Sequence, residues 1–178
     1  MRVGIAGTGT WATALAQVLT DNGHEVILYG REQNQIDDIN LNHRNSFYFG
    51  SNIILSPKII ATNQISEIAQ DVDLILLSVP TGAVSEVLVK LLPFINKKMI
   101  FVNTAKGFDP VTRQRMSEVI RQVVPHDKLL SVVSLLGPSH AEEVILRHLT
   151  LITSVSKDKK LSILVQQLFS NSYFRVYI

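Results

Sequence analysis

One glycine turn near the amino end constrains this chain more than any other stretch. Val3-Gly4-Ile5-Ala6 is a short apolar strand, and Gly7-Thr8-Gly9-Thr10-Trp11-Ala12 follows it without a break. The apolar-periodic residues Ala14, Leu15, Val18 and Leu19 then run on to Asp21-Asn22-Gly23. Strand, GxGxxA and helix in that order have a specific physical reading. Gly7 permits the tight turn, Gly9 leaves no Cβ in the way of a pyrophosphate, and Ala12 is small enough for the helix to pack closely on the strand. The helix start offers free N–H groups and the positive end of the helix dipole to phosphates. Glu25-Val26-Ile27-Leu28-Tyr29 supplies the second strand, which completes the context in which such a turn binds a dinucleotide, NAD or NADP.

The alternation continues. Strands are expected at Ile59–Ala61, Asp73–Val79, Met99–Asn103, Leu129–Leu136, Thr150–Thr153 and Tyr173–Ile178. Between them, Ile36, Ile39 and Leu41 mark one helical stretch, Ser66–Ala69 a brief helix, and Val84, Val87, Leu88 and Leu91 another helix. Met116, Val119, Ile120 and Val123 mark a further helix, as do Leu161, Leu164, Val165 and Leu168. Asn45–Gly50 reads as a loop. The centre of the Asp73–Val79 strand, Leu74–Leu77, is continuously apolar, as a strand buried on both faces must be. The fold class is therefore α/β, a Rossmann-type doubly wound, mostly parallel sheet with helices on both faces. Residues 1–178 form one dinucleotide-binding domain. Because Phe174–Ile178 is an apolar strand whose tip would lead onward, we expect a second domain that these residues lack.

Composition narrows the function. Hydrophobic residues make up 46% of the 178 and charged residues 18%, so the chain buries a large core. The formal charge is only +2, and Lys97-Lys98 and Lys157, Lys159 and Lys160 have no interleaved aromatics, which argues against a nucleic-acid partner. Absence of cysteine excludes disulfides, thiolate catalysis and cysteine-ligated metal, and suits a reducing cytoplasm. No metal site is expected, and no apolar run is long enough to cross a bilayer.

In an open α/β sheet, ligands lie outside the carboxyl ends of strands. Four loops there carry chemistry. Gly30-Arg31 stands where NAD-selective folds place a carboxylate, which is displaced to Glu32; Arg31 suits a 2′-phosphate, so NADPH is expected to be tolerated. Ser78-Val79-Pro80 leaves its strand sharply toward the nicotinamide side. Lys106, with Gly107 behind it, puts a cation directly after a buried strand, suited to a phosphate or a polarised carbonyl. Ser139 and the N–H groups around Ala141 form an anion-friendly helix start. Ser139 beside His140 does not indicate a hydrolase, because adjacent residues rarely face one another as nucleophile and base.

Together, Gly7–Ala16, Ser78-Val79-Pro80, Ala105-Lys106-Gly107 and Gly137-Pro138-Ser139-His140-Ala141-Glu142-Glu143 resemble the bacterial NAD(P)-dependent sn-glycerol-3-phosphate dehydrogenases. Asn45 with Tyr48, and Phe169–Tyr177, extend the resemblance over essentially the whole chain. It implies that Thr10, Trp11, Arg31, Tyr48 and Ala141 contact the cofactor. It also implies that Lys106 lies where nicotinamide and substrate meet, and that Gly137 and Ser139 touch the glycerol phosphate. Two departures stand out: Ala12 replaces the glycine that usually follows the tryptophan, and the loop at Gly50-Ser51 lacks a proline and is one residue longer.

The resemblance implies hydride transfer between NAD(P)H and dihydroxyacetone phosphate or sn-glycerol 3-phosphate, a step toward glycerophospholipids, in a cytoplasmic homodimer. In that family the proton-transferring lysine and the phosphate clamp belong to a helical second domain, so these residues alone are expected to turn over little. Two rival readings stay open: another two-domain NAD(P)-dependent reductase acting on a 2-oxo or 3-hydroxy acid, and a dinucleotide-sensing module without chemistry.

Overall fold

Strands that carry no polar face need cover on both sides. The computed structural model, which describes residues 1–178, meets that need with an eight-stranded sheet between two helical layers. The strands are β1 (Arg2–Ala6), β2 (Glu25–Tyr29), β3 (Ile59–Thr62), β4 (Leu74–Leu77), β5 (Met99–Asn103), β6 (Leu129–Leu136), β7 (Thr150–Val155) and β8 (Phe174–Tyr177). They lie in the order β3-β2-β1-β4-β5-β6-β7-β8. Every neighbouring pair is parallel except β6 and β7.

The helices are α1 (Thr10–Asp21), α2 (Gln33–Asn42), α3 (Ser46–Phe49), α4 (Val84–Leu91), α5 (Met116–Val123), α6 (Ala141–Ile145) and α7 (Lys159–Phe169). One core cluster joins Val3, Ile5, Leu74, Leu76 and Val102 to α1, α2, α6 and α7. The opposite cluster joins Ile75, Leu77 and Phe101 to α4, α5 and the 3₁₀ turn Ile65–Ile68. The β4 run is buried at all four positions, as its unbroken apolar sequence requires. β7 and β8 instead alternate: Ile152, Ser154, Phe174 and Val176 are buried, whereas Leu151, Val155 and Tyr177 are more than half exposed. Helices cover only one face at that end of the sheet.

β7 runs opposite to β6. It pairs antiparallel with the end of that strand, Leu136 opposite Thr153 and Ser134 opposite Val155, after a connection whose only helix is the five residues of α6.

Two local expectations are corrected. Asn45–Gly50 is not simply a loop, because Ser46–Phe49 closes a helical turn, with Phe49 N–H donating to Asn45 O at 3.0 Å. Leu41 does not share the buried stripe of α2: Ile36 and Ile39 are buried, while Leu41 is 77% exposed. A spacing of five turns Leu41 away from Ile36 on a helix of 3.6 residues per turn. No helix is long and apolar enough to cross a membrane.

Candidate functional site

The glycine turn sits at the carboxyl end of β1, between β2 and β4. Gly7 has φ +123° and donates its N–H to Tyr29 O at 2.9 Å. A Cβ on Gly7 would run into the Ser78 carbonyl oxygen. Gly9 is different. It caps α1 with ordinary extended angles (φ −70°, ψ −178°), and a Cβ there would meet no protein atom within 4 Å. Nothing in the protein's own packing demands a glycine at that position, so the space beside it suits an incoming group. Ala12 is fully buried under the turn and packs in the core.

Three loops meet this turn. Gly9, Thr10 and Trp11, the β4 exit Ser78–Pro80, the β5 exit Thr104–Lys106 and the segment Ser139–Glu142 line one cleft of about 390 Å³. The β5 exit is rigidly held: Thr104 Oγ1 donates to Leu77 O at 2.9 Å, and Asn103 bridges Ala105 N and O at 3.2 and 3.3 Å. It presents the exposed Lys106, whose Nζ donates to Ser139 O at 3.2 Å and lies 5.6 Å from the centre of the Trp11 ring. Cation and indole are thus within range of a cation–π contact. Ser139 is 9% exposed, and its Oγ has no hydrogen-bond partner. A buried hydroxyl without a partner is costly, and Ser139 is one of the residues that line the cleft. The same fact disposes of a Ser–His nucleophile, because His140 does not bond Ser139 Oγ.

Ala141 lies on this cleft as the first residue of α6. Gly137 does not line it. A Cβ on Gly137 would stand 3.0 Å from Ile152 Cα and 3.1 Å from Leu151 O, so close passage of β7 accounts for the glycine.

Arg31 and Tyr48 lie on a second, larger cleft of about 880 Å³, shared with Glu32, Gln35, Asn45 and Phe47. Tyr48 is 44% exposed and meets Phe47 edge-on at 4.8 Å between ring centres. Asp38 anchors the α3 turn that carries them. Burial would raise its carboxyl, but the Ser46 N–H at 2.8 Å, the Asn42 amide at 3.0 Å and the nearby Arg44 charge hold it below the usual range.

Sequence patterns gave no reason to single out Gln35, yet it bonds the glycine turn directly. Thr8 Oγ1 donates to Gln35 Oε1 at 2.7 Å, and Gln35 Nε2 donates to Thr8 O at 2.9 Å. A glutamine in a polar helix has no sequence signature. Only the packing of α2 against the turn reveals it.

The family model described as NAD-dependent glycerol-3-phosphate dehydrogenase N-terminus matches residues 2–162. Glycerol-3-phosphate dehydrogenase [NAD(P)+] of Streptococcus uberis is 45% identical over 176 residues, 99% of this chain and 52% of that protein. The enzyme of the same description from Bacillus velezensis is 46% identical over 99% of this chain and 51% of its own length. The chain therefore spans about half the length of the curated relatives it matches. Among solved structures, glycerol-3-phosphate dehydrogenase from Coxiella burnetii superposes with a TM-score of 0.89 at 27% identity, covering 99% of this chain and 53% of that one. With the strand–glycine turn–helix, the converging loops and these matches in hand, the chain belongs to the family of NAD-dependent glycerol-3-phosphate dehydrogenase N-terminal domains.

Proposed function

We propose that this chain binds NAD or NADP and forms the cofactor half of an enzyme that interconverts dihydroxyacetone phosphate and sn-glycerol 3-phosphate. The observation that carries the reading is the single cleft shared by Gly9, Trp11, Lys106 and the partnerless Ser139 hydroxyl. The open space beside Gly9, the uncommitted N–H groups at the start of α1 and the cation of Lys106 fit a dinucleotide phosphate and a phosphorylated substrate. Bound NAD(P)H would supply the hydride, and the protein's part is binding, orientation and electrostatics.

Thr10 and Trp11 hold the cofactor beside Gly7 and Gly9, and Ala141 borders it from the β6 side. Arg31 and Tyr48 receive the adenosine end, with Arg31 available to a 2′-phosphate, so NADPH is accepted. Lys106 directs positive charge at the substrate's carbonyl or phosphate, and Ser139 gains the hydrogen-bond partner it lacks. Gly137, which the resemblance brings to the glycerol phosphate, stands two residues before Ser139 with β7 close behind it. In the family this chain resembles, the proton-transferring lysine belongs to a second domain. Loss of a general acid/base alone costs about 10²–10⁴ in rate, so these residues bind dinucleotide but turn over little. A cytoplasmic homodimer for the whole enzyme, feeding glycerophospholipid synthesis, belongs to the same reading and rests on the resemblance.

The test is oxidation of NADPH and of NADH by the full-length protein, with dihydroxyacetone phosphate added or withheld. Oxidation that depends on the triose phosphate is expected. Activity on an unphosphorylated 2-oxo acid with none on the triose phosphate would refute it.

A further inference from the structure

We propose that Gln35 and Asn45 are positioning residues that clamp the Thr8–Gly9 peptide, turning its N–H toward the phosphate side of the cleft. The inference rests on the reading that the glycine turn holds a dinucleotide phosphate. It assigns a task to two side chains that the reading itself does not use.

The geometry is closed. Asn45 is 1% exposed. Its Nδ2 donates to Thr8 O at 2.9 Å and to Thr13 Oγ1 at 2.8 Å, while its Oδ1 accepts from Gln35 Nε2 at 3.0 Å. Gln35 Nε2 also donates to Thr8 O at 2.9 Å, and Gln35 Oε1 accepts from Thr8 Oγ1 at 2.7 Å. Thr13 Oγ1 passes its own hydrogen to Gly9 O at 2.9 Å. Both N–H groups of each amide are thereby committed, so neither amide can flip without orphaning a donor. Two amides converge on one carbonyl, that of Thr8.

That carbonyl fixes the adjacent donor. The chain has no cis peptide, and in a trans peptide the N–H points opposite to the C=O of the same plane. With Thr8 O held toward Gln35 and Asn45, the Gly9 N–H is turned away from them, and it finds no backbone acceptor in the protein. The turn needs such help. Thr8 lies between two glycines, which resist a peptide flip less than any other residue. Preorganised donors bind an anion without first being ordered, which is what the clamp contributes.

The clamp also joins the two clefts, because Gln35 and Asn45 line the second cleft with Arg31 and Tyr48. The segment that would receive the adenosine end is thus the one that sets the phosphate turn.

The test compares two ligands on the 178-residue chain by calorimetric or NMR titration: ADP-ribose, which carries the pyrophosphate, and adenosine 2′-monophosphate, which has no 5′-phosphate. Asn45→Asp and Gln35→Glu keep side-chain size but remove the donors to Thr8 O. Each is expected to weaken ADP-ribose by about tenfold or more, equivalent to about 1.4 kcal/mol, and to weaken adenosine 2′-monophosphate, which meets the added charge in the second cleft but not the glycine turn, by a smaller factor. For Asn45→Asp, affinity relative to wild type is expected to recover at low pH, because a protonated carboxyl can again donate to Thr8 O. Burial raises the pH at which that happens. Asp38, Arg44 and His43 lie near position 45 in wild type as well, so the wild-type pH profile is the reference. Unfolding midpoints confirm that each variant is folded, and Gln35→Glu stands alone if Asn45→Asp is not. Undiminished ADP-ribose binding, equal loss of both ligands, or no recovery of Asn45→Asp at low pH would overturn the clamp. Failure of the wild-type chain to bind ADP-ribose would overturn the underlying reading and the clamp with it.

Discussion

Gly7 and Gly9 stand two residues apart in one turn, and exchanging each for alanine should separate folding from binding. At Gly7 a side chain must adopt φ +123° and meet the Ser78 carbonyl oxygen. Backbone strain of that kind costs about 1–3 kcal/mol, and forcing extra atoms into packed structure adds about 1–3 kcal/mol. Gly7→Ala should therefore lose about 2–6 kcal/mol, a large share of the 5–15 kcal/mol that holds a domain of ordinary stability. At Gly9 the backbone already has angles any residue adopts, and the added Cβ meets nothing within 4 Å. An alanine at an N-cap costs about 0.5–2 kcal/mol relative to a good cap, and a few tenths less relative to glycine, while reduced freedom of the unfolded chain returns about 0.4–1 kcal/mol. The two nearly cancel, so Gly9→Ala should unfold within about 1 kcal/mol of wild type. Its methyl group, however, stands where the pyrophosphate must approach. NADPH affinity should fall by tenfold or more, equivalent to about 1.4 kcal/mol. Denaturant unfolding followed by circular dichroism measures the first quantity, and calorimetric titration with NADPH the second. A stable Gly9→Ala that binds NADPH as wild type does would refute the placement of the phosphates. A Gly7→Ala as stable as wild type would refute the packing argument.

Three further outcomes are expected. Ser139→Ala removes a buried hydroxyl that has no partner, so the chain should be no less stable, by unfolding midpoint, while KM for the triose phosphate in the full-length enzyme rises; a loss of stability would mean that the hydroxyl is satisfied without substrate. Arg31→Ala should weaken NADPH about tenfold more than NADH, as loss of a charge-assisted bond to the 2′-phosphate requires, and equal weakening in titrations of both would count against that contact. Asp21 gives a pH signature. Burial would raise its carboxyl, but Arg147 Nε at 2.8 Å, the Tyr173 hydroxyl at 2.6 Å and Gln17 at 2.8 Å together hold it below the ordinary value of 3.8. A depressed folded value means stability that is present above about pH 3.8 and lost as pH falls through the lower folded value. Asp21→Asn should cost about 1 kcal/mol at pH 7, discounted because Arg147 is half exposed, and should flatten the acid limb of stability against pH; an acid limb identical to wild type would exclude the ion pair as its source.

The amino-acid sequence alone determined whatever is written in local pattern. The strand, glycine turn and helix from Val3 to Asp21 were legible because each residue's neighbours along the chain supply the periodicity and the turn chemistry. The unbroken apolar run of β4 declared a strand covered on both faces, and loops after parallel strands identified where Lys106 and Ser139 had to be sought. Tertiary structure decided everything that depends on residues distant in sequence. Thr150–Val155 reads the same in either direction, and only its pairing with β6 shows that it runs antiparallel. Gly137 is a glycine because β7 passes 3.0 Å from where its Cβ would be, which no motif records. Gln35 is one polar residue on a polar helix until α2 is laid beside Thr8, 27 positions earlier. Periodicity encodes which face of an element is buried, but not which partner will meet it, because that meeting is fixed only when the whole sheet has closed around its core.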